Sequence, residues 1–101
     1  MQSHTQRYRL DELCGINRYS CLVETVGGYA VFQTDLAPCE GMRVLVSALG
    51  RLQFAVVMGG TLITEDGECI EGDVLDDVVV MGVVTFFING ATAFTDENPV
   101  M

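Results

Sequence analysis

A chain of 101 residues, half of them hydrophobic, with a mean hydropathy of +0.36, has the length for one domain with a modest core and the composition of a folded protein. Its net charge of −9, from fourteen carboxylates, five arginines and no lysine, argues against direct nucleic-acid binding, since phosphate contacts need clustered cations. The longest apolar run, residues 78–88, is shorter than the roughly 20 residues of a spanning helix. We therefore expect no membrane insertion.

The first 19 residues carry no periodic apolar pattern, and we expect an N-terminal tail or a short docking segment. One or two helical turns fit residues 10–16, where Gly15 would end them. From Ser20 onward, short β-branched runs alternate with turn signals such as Gly27-Gly28 and Asn89-Gly90. The predicted strands cover residues 21–26, 29–33, 43–48, 52–58, 61–64, 69–71 and 78–88, followed by a return strand over 91–95 and a tail over 96–101.

Short strands at this spacing predict an all-β domain, built as a small and mostly antiparallel barrel or sandwich. No segment sustains the period of 3.6 residues that an amphipathic helix requires, and no linker or internal repeat divides the chain. We therefore expect a single domain over residues 1–101, with its β-barrel core in residues 20–95.

The cysteine pattern argues against both metal binding and disulfides. No two cysteines form a C-x-x-C pair and His4 is the only histidine, so we expect no zinc site and no other cofactor. The N-terminal residues lack the apolar segment of a secretory signal, which favours a cytoplasmic protein with reduced thiols. The predicted buried thiols are those of Cys14, Cys21, Cys39 and Cys69.

Half of the acidic residues lie between positions 65 and 77, with no positive charge among them. One interpretation is a solvated rim between two apolar strands. A second is a calcium site, although the D-x-D-x-D-G pattern of a calcium loop is absent. A third is an acidic surface that faces a partner, because like charges at this density repel one another. The candidate interaction residues in this run are Glu65, Asp66, Glu68, Glu71, Asp73, Asp76 and Asp77.

The closing hairpin is a second candidate interaction region. Phe86, Phe87, Ile88 and Phe94 lie on its two predicted strands. Neighbouring residues of a strand point to opposite faces, so we expect one of Phe86 and Phe87 in the core and the other against a partner. An apolar terminal hairpin also leaves an unprotected edge, and edges invite strand pairing. These features predict a homodimer.

Three stretches occur in a characteristic order: GMRVLV at 41–46, the turn LGR at 49–51 leading into LQFAV at 52–56, and VMGVV at 80–84. In order and spacing they resemble the C-terminal domain of the LexA/UmuD family of self-cleaving repressors and mutagenesis proteins. The resemblance covers roughly residues 28–90. It implies a barrel-like β fold and self-association through this domain.

The chain departs from that family at both catalytic positions. The resemblance places the family's general-base lysine at Ala55, which has no group that accepts a proton. The family's Gly-Asp-Ser-Met motif is absent, and Ser20, which lies near the expected distance upstream, sits in a predicted strand. A serine without an adjacent base is a poor nucleophile at neutral pH. We therefore expect no enzyme activity.

The resemblance and these departures together imply a non-catalytic regulatory or protein-interaction domain of prophage or bacterial origin, acting in the SOS response. The expected partners are a second copy of the chain, a related repressor or a DNA-damage-response protein. One alternative is an acidic inhibitor whose carboxylates imitate DNA phosphates and occupy a nucleic-acid-binding protein. The other is a cryptic hydrolase that uses Ser20.

Overall fold

A computed structural model describes residues 7–91 as one open β-sheet with a short helix beside it. The strands are β1 Ser20–Thr25, β2 Gly28–Gln33, β3 Arg43–Ala48, β4 Arg51–Met58, β5 Thr61–Thr64, β6 Cys69–Ile70 and β7 Val79–Asn89. They follow one another across the sheet in the order β1-β2-β7-β3-β4-β5-β6, and each neighbouring pair is antiparallel. The all-β, mostly antiparallel fold is therefore confirmed, with strand bounds within one residue of those predicted.

The sheet is not a closed barrel. Among the described strands no ladder joins β1 to β6, so these two strands form the edges. β6 has only two residues, because Gly72 with a φ of 68° turns the chain into a 3-10 helix over Gly72–Asp77. The strand pattern did not predict this 3-10 helix. Because the helix follows so soon, β6 is too short to extend the sheet toward β1. The return strand expected over residues 91–95 lies outside the described residues, apart from Ala91.

The predicted helix is present as a single turn. α1 covers Leu10–Leu13, and the chain then turns at Cys14 and Gly15. Gly15 has a φ of 66°, the left-handed conformation in which glycine commonly ends helices. The helix is one turn long, so its position depends on contacts with the sheet rather than on its own stability.

β7 lies between β2 and β3, although it is the last of the described strands. Its pairing shifts by one residue at two places, at Thr85 opposite β2 and at Met81 opposite β3. Bulges of this kind bend a strand and increase its twist. The Thr85 hydroxyl donates a hydrogen bond of 3.4 Å to the carbonyl oxygen of Val31, which holds the first bulge to β2. β7 thus pairs with both β2 and β3 while it changes direction.

The register defines two faces of the sheet. Directly opposed residues of antiparallel strands share a face, and Val44 of β3 is opposed to Ala55 and Val83. This side, the core face, holds the main cluster of buried side chains, against which Leu75 of the 3-10 helix and Val78 pack. The other side, the Leu45 face, carries Leu45 and its partner Phe54. The core cluster consists of Val44, Val46, Ala48, Ala55, Leu62, Ile70 and Val83.

Candidate functional site

Phe86 and Phe87 lie side by side on β7 and point to opposite faces, as predicted. The expectation that one of them belongs to the core is wrong, because both rings are exposed, at 40% and 44%. Phe86 is opposed to Val31, while Phe87 is opposed to Ala30. The open sheet explains the exposure, since among residues 7–91 no second layer covers either ring. Ile88 is half-buried, and Phe94 lies outside the described residues.

Phe87 belongs to the Leu45 face and is held there by two neighbours. Its ring meets that of Phe54 edge to face, with centroids 5.6 Å apart and an interplanar angle of 74°. The Arg43 guanidinium carbon lies 5.7 Å from the centroid of the Phe87 ring, within the range of a cation–π contact. The alternation of β3 and β4 places Arg43, Leu45 and Phe54 on this side. The ring is therefore fixed in position while nearly half of it remains accessible.

A cleft of about 850 Å³ opens beside this ring on the Leu45 face. We call it the Phe87 cleft. Its apolar lining comes from four strands, with Val23 from β1, Phe87 from β7, Leu45 from β3, and Leu52 and Phe54 from β4. Val23 is opposed to Ala30, which is in turn opposed to Phe87, so these residues form one row across the sheet.

Charged side chains stand around the Phe87 cleft. Glu65 and Asp66 come from the turn between β5 and β6, and Arg51 comes from the start of β4. Glu24 of β1 also borders the cleft, but it is opposed to Tyr29 and its side chain belongs to the other face. The Arg51 guanidinium nitrogen lies 3.6 Å from a carboxylate oxygen of Asp66, and both side chains are well exposed. An exposed pair of this kind contributes little stability. The charged side chains at the cleft are therefore two carboxylates and one guanidinium, a formal net charge of −1.

A second apolar surface lies between α1 and the sheet. We call it the α1 groove, and its volume is about 810 Å³. Arg9 and Asp11 stand at its polar end, where their side chains approach to 3.4 Å. Phe86 lies on the same side of the sheet, since it is opposed to the groove residue Val31. The apolar lining consists of Leu10, Cys14, Ile16, Leu22, Tyr29, Val31 and Ile88.

The seven acidic residues between 65 and 77 are all exposed, which agrees with a solvated rim or a partner-facing surface. Within the described part of the chain, Asp66 alone among them has a cation within salt-bridge distance. The Glu68 backbone N–H donates to the Thr64 hydroxyl oxygen at 3.1 Å. Residues 71–77 are carried largely by the 3-10 helix. Within residues 7–91 no three His, Cys, Asp or Glu side chains are grouped so as to hold a metal ion.

The predicted burial of all four thiols is wrong for three of them. Cys14 is buried beneath α1, whereas Cys21, Cys39 and Cys69 are exposed. Cys21 and Cys69 lie on the two edge strands, where one face of each strand meets solvent, and Cys39 lies in the loop before β3. All four are free thiols in the structure.

The two positions that the family resemblance singles out do not meet. Ala55 is buried in the core cluster, while Ser20 begins the edge strand β1. Three strands, β2, β7 and β3, separate them in the sheet. The Ser20 hydroxyl oxygen accepts a hydrogen bond of 2.9 Å from the Asn17 backbone N–H and so closes the turn that precedes β1.

Sequence reasoning identified Phe86 and Phe87 but missed the rest of both surfaces. The sequence analysis places Arg43 and Phe54 on predicted strands but assigns neither residue to a face of the sheet. The alternation of β3 and β4 would have placed them with Leu45. The α1 groove had a weaker signal, since Leu22 and Tyr29 come from different strands whose register the sequence does not reveal.

None of the family models, curated proteins or solved structures compared with this chain matches it. Across the described residues, no helix combines the length and the apolar character needed to cross a membrane.

Proposed function

We propose that this chain is a non-catalytic protein-interaction domain that associates with a second copy of itself. The observation that carries the proposal is the exposure of large apolar side chains on both faces of the sheet. Within residues 7–91, nineteen large hydrophobic side chains are exposed, against twelve buried hydrophobic residues. Single exposed apolar residues are ordinary, but contiguous apolar patches mark interaction sites.

The α1 groove and its surroundings are the proposed self-association surface. Leu10, Leu13, Leu22, Tyr29 and Phe86 are exposed in or near it. Each such side chain offers on the order of 100 Å², so a handful supplies a large part of the roughly 800 Å² that each partner buries in a standard interface. The five residues do not reach that area alone, so the interface would have to include residues around the groove as well.

Charge also favours this surface for self-association. The groove lining contains one cation, Arg9, and one carboxylate, Asp11, so its formal charge is zero. The acidic run from 65 to 77 contributes no residue to that lining. Two copies of a chain with a net charge of −9 repel each other over a distance, and a neutral contact area adds no further repulsion where they meet.

Sedimentation velocity over a range of concentrations tests this proposal. We expect the wild type to dimerise, and Leu22→Ser and Phe86→Ser to shift it toward monomer. Leu49→Asn is the matched control, because Leu49 is just as exposed but lies in the turn between β3 and β4. A wild type that stays monomeric at high concentration would overturn the proposal, as would equal effects of all three substitutions.

The absence of catalysis is also part of the proposal. It is supported by Ala55 at the family's lysine position and by the separation of that residue from Ser20. Incubation at alkaline pH, which would deprotonate a catalytic amine, should leave the chain intact. A discrete pair of fragments that disappears in Ser20→Ala would show a hydrolase instead.

The regulatory setting follows from the family resemblance alone: we propose a prophage or bacterial regulator whose further partner is a related repressor or a DNA-damage-response protein. The second candidate, an acidic inhibitor that imitates DNA, is favoured by the uniform exposure of the run from 65 to 77. The two differ in salt dependence. Binding through carboxylates weakens steeply as ionic strength rises, whereas an apolar contact does not.

A further inference from the structure

We infer that the Phe87 cleft binds a short segment of a partner protein that presents apolar side chains next to Lys or Arg. This inference rests on the proposed interaction function and names the partner's chemistry at one surface. It concerns the Leu45 face, whereas the proposed self-association concerns the α1 groove on the other side of the sheet. The two can therefore succeed or fail separately.

The floor of the cleft fits apolar side chains. Leu45 is buried at its base, and the rings of Phe54 and Phe87 fix each other through their edge-to-face contact. Leu52 and Phe87 remain about half exposed on the floor. A rigid aromatic surface that is already partly desolvated loses little side-chain freedom on binding, which is the usual character of an interface anchor.

The dimensions of the cleft fit a short extended segment. Its lining reaches from Val23 on β1 to Phe54 on β4, with β2, β7 and β3 between them. Four spacings between neighbouring strands of about 4.8 Å give roughly 19 Å. An extended chain covers that distance in about six residues, since each residue spans roughly 3.3 Å.

The charge of the rim selects the flanking residues of the partner. Glu65 and Asp66 stand at the end of the cleft beyond β4, so carboxylates lie at one end of the apolar row. Arg51 is engaged by Asp66, which leaves Glu65 without a cation in the described part of the chain. A segment with Lys or Arg next to its apolar residues complements this arrangement, and the net charge of −9 draws such a segment toward the protein.

Fluorescence anisotropy with three labelled peptides tests the inference on the full-length chain. The probe alternates lysine and leucine over about seven residues, a length that covers the cleft. The second peptide replaces lysine by glutamate, and the third replaces leucine by glycine. We expect only the lysine–leucine peptide to bind, and its affinity to fall when Glu65→Gln and Asp66→Asn are combined.

Phe87→Ser and Phe86→Ser form the decisive pair of variants, because the two rings are neighbours of similar exposure on opposite faces. Phe87→Ser should weaken binding of the lysine–leucine peptide about tenfold, the effect of losing one interface anchor, and Phe86→Ser should change it by less than about twofold. Leu52→Ser, on the exposed part of the cleft floor, replaces Phe87→Ser if that variant does not fold.

Three results would overturn the inference: equal binding of the lysine–glycine peptide, equal binding of the glutamate–leucine peptide, or equal losses in the Phe86 and Phe87 variants. None of them bears on the sedimentation result, since self-association is measured without peptide and depends on Leu22 and Phe86. A monomeric chain that binds the lysine–leucine peptide through Phe87 would sustain this inference and overturn the dimer.

Discussion

The rings of Phe54 and Phe87 meet edge to face at 5.6 Å although a whole strand, β3, separates the strands that carry them. Leu45 of β3 is opposed to Phe54 and is almost completely buried. The contact is possible because the two phenylalanine side chains are long enough to meet across the intervening strand β3. It links β7 and β4, which share no backbone hydrogen-bond ladder in the described sheet.

We expect a double-mutant cycle with Phe54→Leu and Phe87→Leu to give a coupling free energy of about 0.5–1.5 kcal/mol, the range of an aromatic pair beyond its area burial. Urea denaturation of the four proteins measures it. Phe54→Leu with Phe86→Leu is the control cycle, and its coupling should be near zero, since Phe86 lies on the other face. Similar couplings in both cycles would contradict the geometry.

Gly28 and Gly27 are adjacent and should respond differently to alanine. A Cβ atom at Gly28 would collide with the carbonyl group of Ile88, whereas one at Gly27 would have its nearest neighbour, the Asn89 side-chain oxygen, at 4.0 Å. Forcing β2 and β7 apart should cost Gly28→Ala about 1–3 kcal/mol of unfolding free energy. We expect its melting temperature to fall by at least about 4 °C, while Gly27→Ala stays near the wild type. Equal melting temperatures would show that β2 and β7 are farther apart than described.

Leu49 is strained. It is the one non-glycine residue among those described with a positive φ, 55°, and it occupies the turn between β3 and β4 with Gly50. This conformation costs most L-residues about 1–2 kcal/mol, and asparagine tolerates it better. Because the Leu49 side chain is exposed, Leu49→Asn should raise the unfolding free energy by about 1 kcal/mol. Leu36→Asn, an exposed leucine without positive φ, should bring no gain. A Leu49→Asn variant less stable than the wild type would mean that the leucine side chain makes a stabilising contact.

The thiols should react in two classes. In the native protein, a thiol reagent should modify Cys21, Cys39 and Cys69 rapidly and Cys14 slowly, because only Cys14 is buried. Denaturation should make all four equally reactive. Cys14→Ser should abolish the slow phase and leave the fast amplitude unchanged. A native protein with one rapidly reacting thiol or none would show that most of the cysteines are buried.

Much of the sheet could be predicted because local signals coincide with the strand ends. The strands Arg43–Ala48 and Thr61–Thr64 begin and end where the sequence pattern places them, since turns with glycine flank both. The order of the strands could not be predicted in this way. The insertion of β7 between β2 and β3 depends on pairings between residues more than 30 positions apart, such as Leu45 with Gly82, and no local pattern records them.

The interaction surfaces were harder to predict than the strands for a related reason. Alternation along β7 correctly separated Phe86 from Phe87, but it could not show that neither ring is covered, since burial depends on which elements lie above each face. A closed barrel would have a core that covers one of the two rings, and the open sheet has no such core near Phe86 and Phe87. The bulges at Met81 and Thr85 also interrupt the alternation that such reasoning requires.

The central position of β7 also has a consequence for how the chain folds as it is synthesised. Before residues 79–89 leave the ribosome, the β1–β2 hairpin and the meander of β3 to β6 have no strand to join them. Each of these two pieces then exposes an edge, on β2 and on β3, that only β7 covers in the finished sheet. Pairings of such long sequence separation form slowly, and uncovered edges favour aggregation in the meantime. Cooperative folding of the described sheet therefore requires its last described strand, and a chain truncated before residue 79 would consist of two incomplete sheets.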